Sequence, residues 1–329
     1  MAVFSPDYLP TASWDTLRLR ARLLGKVRQF FEVRGFLEVE TPILSADTVV
    51  DRHIEPFAVP RETPSSADNP TQPLWLQTSP EFGMKRLLAA GATAIYQVTR
   101  AFRRGEQGPL HNPEFTIVEW YRVGDDMAAG VRLLSELCEC LLGRGPAETI
   151  PYGEAFASRT GVDPHRATAA ELARRARELG VEIPATLAAD DRDGWLDLLL
   201  ADRVQPSLGI GRPVIVYDFP ASQAALARVR PGPPPVAERF ELYASGIELA
   251  NGYHELTDPA VLRQRHQANN AWRQRDGKRP LPENSRLLAA MEAGLPPATG
   301  AALGFDRVVM LAANAKDLRE AMAFPIDRA

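Results

Sequence analysis

The chain has only two cysteines in 329 residues, Cys138 and Cys140. They lie two apart in an apolar helical pattern that turns them to different sides, so they read as core residues of a reducing compartment. Neither a disulfide framework nor a metal site is expected from them. No apolar run follows a basic N-terminal segment and none reaches membrane-spanning length, so a cytoplasmic protein is expected. An excess of positive charge is missing as well. The formal net charge is −4, which gives no overall basic field toward phosphate backbones, and bulk tRNA binding is not expected. The composition carries no sign of disorder or of a fibre, and a chain of this length can bury a full core.

The stretch 102–122, FRRGEQGPLHNPEFTIVEWYR, carries the most chemistry. Residues 115–121 mix β-branched and aromatic side chains and read as a strand, with residues 94–102 as its partner. The loop between them holds Arg103, Arg104, Gly105, Glu106, His111 and Asn112. Strand alternation puts Phe115, Ile117, Glu119 and Tyr121 on one face and Thr116, Val118 and Trp120 on the other. An ionised Glu inside a buried strand is costly unless a cation or several donors meet it. A solvated sheet face is the plainer reading of Glu119 taken alone.

The flanking segments have their own signals. Leu19, Leu23, Val27 and Phe30 recur at helical spacing among Arg18, Arg20, Arg22, Lys26 and Arg28, an amphipathic first helix whose basic face reads as solvated. Gly35 ends it, an alternating strand follows, and Pro42 stops the ladder. Residues 51–73 read as a surface loop and 74–77 as a strand. Ser79 is the expected N-cap of the next helix and Pro80 its first residue, and Glu81 in the first turn complements the dipole. Residues 125–145 read as a helix, 163–205 as a helical insertion anchored by Trp195, and 214–219 as a buried strand. The Pro-rich loop 230–235 reads as a stiff connector.

The segment 239–255, RFELYASGIELANGYHE, reads as a hairpin turning around residues 244–246. It would place Glu241 and Glu248 roughly opposite on neighbouring strands. Like charges facing across a ladder are destabilising, so the pair makes sense around a divalent cation, and two carboxylates plus phosphate suit Mg²⁺. Ala250 and Gly252, alternating with Glu248, would leave room for a ligand on its face. Residues 263–279 are the most basic segment, most simply a solvated helix face, and the first place to seek contact with an anionic macromolecule. Gly304 permits close backbone approach ahead of an apolar helix, and Arg307 at the start of that helix opposes the dipole and so calls for an anion.

These words resemble three motifs of class II aminoacyl-tRNA synthetases. The motif 1 word is 34–42, motif 2 runs from Arg103 through HNPEFT to Tyr121, and motif 3 is Gly300-Ala301-Ala302-Leu303-Gly304-Phe305-Asp306-Arg307. The versions are those of lysyl-tRNA synthetases. The resemblance implies an α+β fold, a class II catalytic domain over residues 1–329 with an antiparallel sheet flanked by helices, and a homodimer formed through motif 1. It implies that a substrate carboxylate attacks the α-phosphate of ATP to give an acyl-adenylate. Arg103 would clamp the α-phosphate, and Phe115 and Arg307 would sandwich the adenine. Arg104, Gly105, Glu106, His111, Asn112, Glu248, Leu249 and Gly304 would complete the ATP site. Glu241 and Glu248 would hold Mg²⁺. Ser79, Pro80, Glu81, Glu119, Tyr121, Asn251, Tyr253, Glu255 and Ala302 would read a lysine-like diamine acid. Motif 2 ordinarily runs Arg-x-Glu, whereas Gly105 stands at the third position here with Glu106 after it.

Counted with the helix before it, motif 1 begins within about 20 residues of the start, too few for the anticodon-binding domain of a lysyl-tRNA synthetase. With GIELANGYHELTDP, this makes the chain similar end to end to the bacterial elongation factor P–lysine ligases, truncated paralogues of those synthetases. That resemblance implies transfer of (R)-β-lysine to a lysine ε-amino group of elongation factor P, with no tRNA partner. Ala302 stands where the synthetases carry Gly, and its methyl would favour a β-amino over an α-amino acid. A minimal synthetase charging tRNA and a catalytically silent paralogue are the alternatives.

Overall fold

A computed structural model describes residues 8–61 and 72–329. The expected loop 51–73 therefore lies partly outside the described residues. The chain divides into two compact units: Met1–Val123, Thr257–Pro296 and Ala302–Ala329 form the first, and Gly124–Leu256 with Pro297–Ala301 the second. Within them helices flank mostly antiparallel strands, the α+β class expected.

In the first unit the opening helix Trp14–Glu32 starts at Ser13, whose Oγ accepts from Thr16 N at 3.1 Å, supplying one of the helix's unmet donors. Its buried stripe is Leu23, Val27, Phe30 and Phe31; Leu19 is only half buried. Phe31 stacks on Tyr96 with centroids 4.6 Å apart and meets Trp120 at 5.4 Å. These contacts fix the helix against the central hairpin, Ala94–Phe102 paired with Glu114–Val123. Gly35 takes φ +75°, which lets the chain turn back after the helix. The strand after it is only Leu37–Glu38, a parallel edge on Ile95 and Tyr96. Beside the hairpin the helix Glu81–Ala89 follows the strand Leu74–Leu76. Pro80 is its N-cap, so the helix begins one residue later than expected, and Ser79 Oγ accepts from Glu81 N at 3.3 Å.

In the second unit the strands Glu148–Pro151, Val214–Pro220, Val236–Ala244 and Ile247–His254 lie side by side in that order. Only the first pair is parallel. The helical insertion packs its own core there, with Trp195, Tyr152, Phe156, Leu172 and Leu199 against Phe219. Trp195 is 2 % exposed and serves as the expected anchor. The helix Tyr152–Thr160 and the short strand before it join this core, although no periodicity in the sequence marks them. Cys138 is buried, and desolvation pushes its thiol up to about 12, which suits an inert core residue.

Candidate active site

The loop of the central hairpin belongs to the first unit and is built around a turn that only glycine takes easily. Gly105 has φ +85°, and the next residue, Glu106, brings a carboxylate oxygen to 3.8 Å from Arg103 Nη1. A side chain at position 105 would strain this turn, which is a local reason for the departure from Arg-x-Glu. Arg103 also donates from Nε to Thr78 O at 3.4 Å, and its guanidinium lies 5.1 Å from the Phe115 ring centroid. The ring and the guanidinium form one surface suited to a planar, anionic ligand. Arg104 is exposed and is tied by its backbone N to Glu55 O at 2.7 Å.

Arg307 lies in the first turn of the helix Phe305–Ala312, for which Gly304 is the N-cap. Its Nε donates to Leu110 O at 3.2 Å and its Nη2 lies 2.8 Å from His111 Nε2. Burial first, and then the Arg307 charge, lower the His111 pKa below 6.5, so Nε2 is the acceptor of that contact at neutral pH. The Asn112 side chain is tied within the loop. Its Nδ2 donates to Glu114 O at 2.6 Å and its Oδ1 accepts from Ile326 N at 3.0 Å, so both ends of the amide shape the loop.

Sequence reasoning missed the clamp behind these residues. Asp306 accepts from Thr116 N at 2.7 Å and from Arg20 Nη1 at 2.5 Å, and Arg20 Nη2 donates to Thr116 Oγ1 at 2.6 Å. Thr116 follows Phe115 and Asp306 precedes Arg307, so the clamp sets the positions of both. Arg20 is thus not part of a solvated face; its side chain is 15 % exposed and Asp306 is 3 % exposed. A buried guanidinium with two matched acceptors is an ordered part of the fold.

The first unit also gathers acids. Glu119 is 1 % exposed, faces Gln97 across the hairpin, and accepts from the Tyr121 hydroxyl at 2.6 Å. That bond confirms the shared face expected from alternation, and the burial excludes a solvated Glu. Glu81 is buried too, and its Oε1 accepts from Lys85 Nζ at 2.5 Å. Ser79 and Pro80 line a small cleft with Thr41, Asp47, Thr48, Gln77 and Arg86.

The second unit carries the other hairpin, which turns through Ser245 and Gly246 with φ of 54° and 75°. Here the register corrects two expectations. Glu241 stands opposite Asn251, not Glu248, and Glu248 faces Tyr243 beyond a bulge at Leu242/Tyr243. Leu249 is the extra residue. It flips the alternation, so Glu248 acts electrostatically on Arg239 and Tyr243 on the Glu241 side, while Ala250 and Gly252 turn to the opposite face. Gly252 does not leave room for a ligand: a Cβ there would lie 2.4 Å from the Phe240 ring and 2.8 Å from Ala301 Cβ.

On the polar face both Glu241 oxygens accept hydrogen bonds, one from Arg239 Nη2 and one from the Tyr243 hydroxyl. Glu241 and Glu248 thus bring two acids to the face that holds Arg239. Among the described residues no group of three or more His, Cys, Asp or Glu side chains forms a complete metal cage. Asn251 Nδ2 donates to the Tyr253 hydroxyl at 3.0 Å, while its buried Oδ1 has no donor. Glu255 is 1 % exposed.

The basic segment 263–279 forms the helix Pro259–Arg275 and its continuation, and part of its charge is matched inside the first unit. Arg273 is fully buried and pairs with Glu55 at 2.7 Å, Arg263 pairs with Glu292, Arg275 lies over Trp272, and Lys278 Nζ donates to Arg52 O at 2.7 Å.

Comparison with known proteins agrees with this chemistry. The family model for tRNA synthetases class II (D, K and N) matches residues 9–328. The elongation factor P–(R)-β-lysine ligase of Vibrio cholerae serotype O1 is 47 % identical over 323 residues, covering 98 % of this chain and 99 % of that protein. The protein of the same name from Vibrio vulnificus is 47 % identical over 319 residues, covering 97 % and 98 %. That of Edwardsiella ictaluri is 46 % identical over 326 residues, covering 98 % of each. With motif 2 and motif 3 arginines in place and identity at this level over nearly the whole length, the chain belongs to the class II tRNA synthetase family and, within it, to the elongation factor P–(R)-β-lysine ligases.

Proposed function

We propose that the chain activates (R)-β-lysine with ATP and transfers it to a lysine ε-amino group of elongation factor P. In the first step a carboxylate oxygen of the substrate attacks the α-phosphorus and pyrophosphate leaves. In the second the ε-amino nitrogen attacks the acyl carbon, AMP leaves with the bonding electrons, and the amine proton passes to solvent. The chain supplies no nucleophile; it supplies position and fixed charge.

The observation that carries the reading is the pair of buried carboxylates Glu81 and Glu119 in the first unit, kept company by a lysine and a tyrosine. Buried acids in a site call for cations, and a diamino acid brings two. Arg103 is the residue we assign to the α-phosphate and substrate carboxylate, because a guanidinium bonds such oxygens in pairs. Phe115 and Arg307 are assigned to the adenine, with Arg104, Glu106, His111 and Gly304 around the nucleotide. Tyr121, Asn251, Tyr253 and Glu255 are assigned with Glu81 and Glu119 to the amino groups, the unmatched Asn251 Oδ1 being an acceptor for one. Glu241 and Glu248 would hold Mg²⁺ together with phosphate oxygens, since Mg²⁺ is bound through one or two carboxylates and substrate. The ion would neutralise charge on the phosphates.

Pyrophosphate exchange tests the reading. The chain should exchange label into ATP with (R)-β-lysine far better than with α-lysine. Equal rates with both, or charging of tRNA, would favour a minimal synthetase instead.

A further inference from the structure

Lys85 lies one turn after Glu81 on the helix Glu81–Ala89, and the two are bonded Nζ to Oε1 at 2.5 Å. An exposed pair at this spacing would be unremarked, since surface pairs contribute little. This one is not exposed: the Lys85 side chain is 2 % accessible and that of Glu81 12 %. The same helix buries Phe82, Met84 and Leu88, so an apolar residue at position 85 would fit the packing. Replacing a buried ion pair by apolar residues is often neutral or stabilising, so a stability role alone does not explain the lysine. Its ammonium lies 5.9 Å from the centroid of the Tyr121 ring, whose hydroxyl is bonded to Glu119. Lys85 therefore sits against the acids that the proposed function assigns to the substrate.

We infer that Lys85 is a positioning residue: its buried ammonium holds Glu81 as an anion through one oxygen, with the other oxygen left to take an amino group of the substrate. The inference rests on the reading of Glu81 given above. A carboxylate buried without a cation is protonated near neutral pH and would meet an ammonium group without charge. The Lys85 bond to one Glu81 oxygen supplies such a cation inside the fold.

Several groups face Glu81. Lys85 and Arg86 lie on its own helix, and Glu119 and Tyr121 come from the central hairpin. His266 comes from the helix Pro259–Arg275, where burial lowers its pKa below 6.5 and leaves it neutral above that pH. The charged side chains of the helix Arg286–Gly294, Arg286 and Glu292, are paired with Asp47 and Arg263.

The test is pyrophosphate exchange with (R)-β-lysine from pH 7 to 9 on the full chain, comparing wild type with Lys85→Met, Lys85→Gln and Lys85→Arg. At pH 7 the neutral variants should raise KM for the amino acid about tenfold while changing kcat less than about threefold. The excess should shrink as pH rises and Glu81 ionises, the KM for ATP should hold, and Lys85→Arg should follow wild type. Lys85→Gln keeps an amide donor to Glu81 and carries the same test should Lys85→Met unfold. A neutral variant with wild-type KM at every pH, or with an excess that does not vary with pH, would overturn the inference. Absence of exchange by the wild type would instead remove the reading of the site on which it rests.

Discussion

Arg103 shows how much one residue is asked to do. Its guanidinium is held from one side by Thr78 O, from another by the Phe115 ring, and stands 3.8 Å from Glu106, with donors remaining for an anion. Arg103→Ala should cost about 2 to 4 kcal/mol of transition-state stabilisation, read as kcat/KM in pyrophosphate exchange, and unchanged kinetics would refute its assignment. Ala302 is half buried on the strand Ala298–Gly304. Ala302→Gly should shift the exchange ratio toward α-lysine; a parental ratio would show that the methyl does not set the preference. His111 makes a pH prediction. Its pKa is lowered in the fold, so the folded and unfolded states are both neutral above pH 6.5, and below that the unfolded state takes the proton first. Acid therefore works against the folded loop, and a protonated ring would repel Arg307. KM for ATP should rise as pH falls below 6.5, and His111→Gln should lack that limb; the same limb in the variant would assign it elsewhere. At this scale Glu119 and Tyr121 were legible because alternation on a strand is a local property. Arg20 was not, because its partner Asp306 lies 286 positions away. Lys85 stands in the Lys85-Arg86-Leu87 word that continues the lysyl-tRNA synthetase resemblance, but its burial was not legible, since a lysine one turn after a glutamate looks the same buried or exposed.

The two hairpins differ in how far a regular pattern can be read. The central one pairs without interruption from Ala94 with Arg122 to Phe102 with Glu114, so its faces follow directly from the sequence. The second contains the bulge at Leu249, and one extra residue inverts every side chain beyond it. The sequence shows two acids seven apart but not that inversion, which is why plain alternation makes Gly252 a ligand cradle when it is a packing site under Phe240. Gly252→Ala should destabilise the fold by about 1 to 3 kcal/mol, since the new methyl meets ring and methyl carbons with little freedom to yield. Thermal unfolding checks this, and an unchanged Tm would mean the hairpin relaxes at no cost. The insertion helices were legible from their composition. The short strand Glu148–Pro151 was not, because four residues carry too little periodicity.

For the whole chain, the net charge of −4 and the internal pairing of the 263–279 cations argue in one direction. Two cations of that segment, Arg263 and Arg273, are matched by acids, while Arg275 and Arg279 stay exposed. In the first unit, by contrast, Trp14, Val33 and Leu37 are 68 %, 70 % and 64 % exposed along the opening helix and the edge strand. Large apolar side chains on a sheet edge and the helix beside it are the marks of a surface that another chain covers. We expect a homodimer through this surface, and sedimentation should show twice the chain mass; a monomer for both wild type and Leu37→Lys would remove it. What the chain does as an enzyme is decided by intact-mass analysis of elongation factor P after incubation with ATP, Mg²⁺ and each lysine isomer. One β-lysyl group should be added by the wild type and none by Arg103→Ala. An unmodified acceptor alongside lysylated tRNA would contradict the proposal outright.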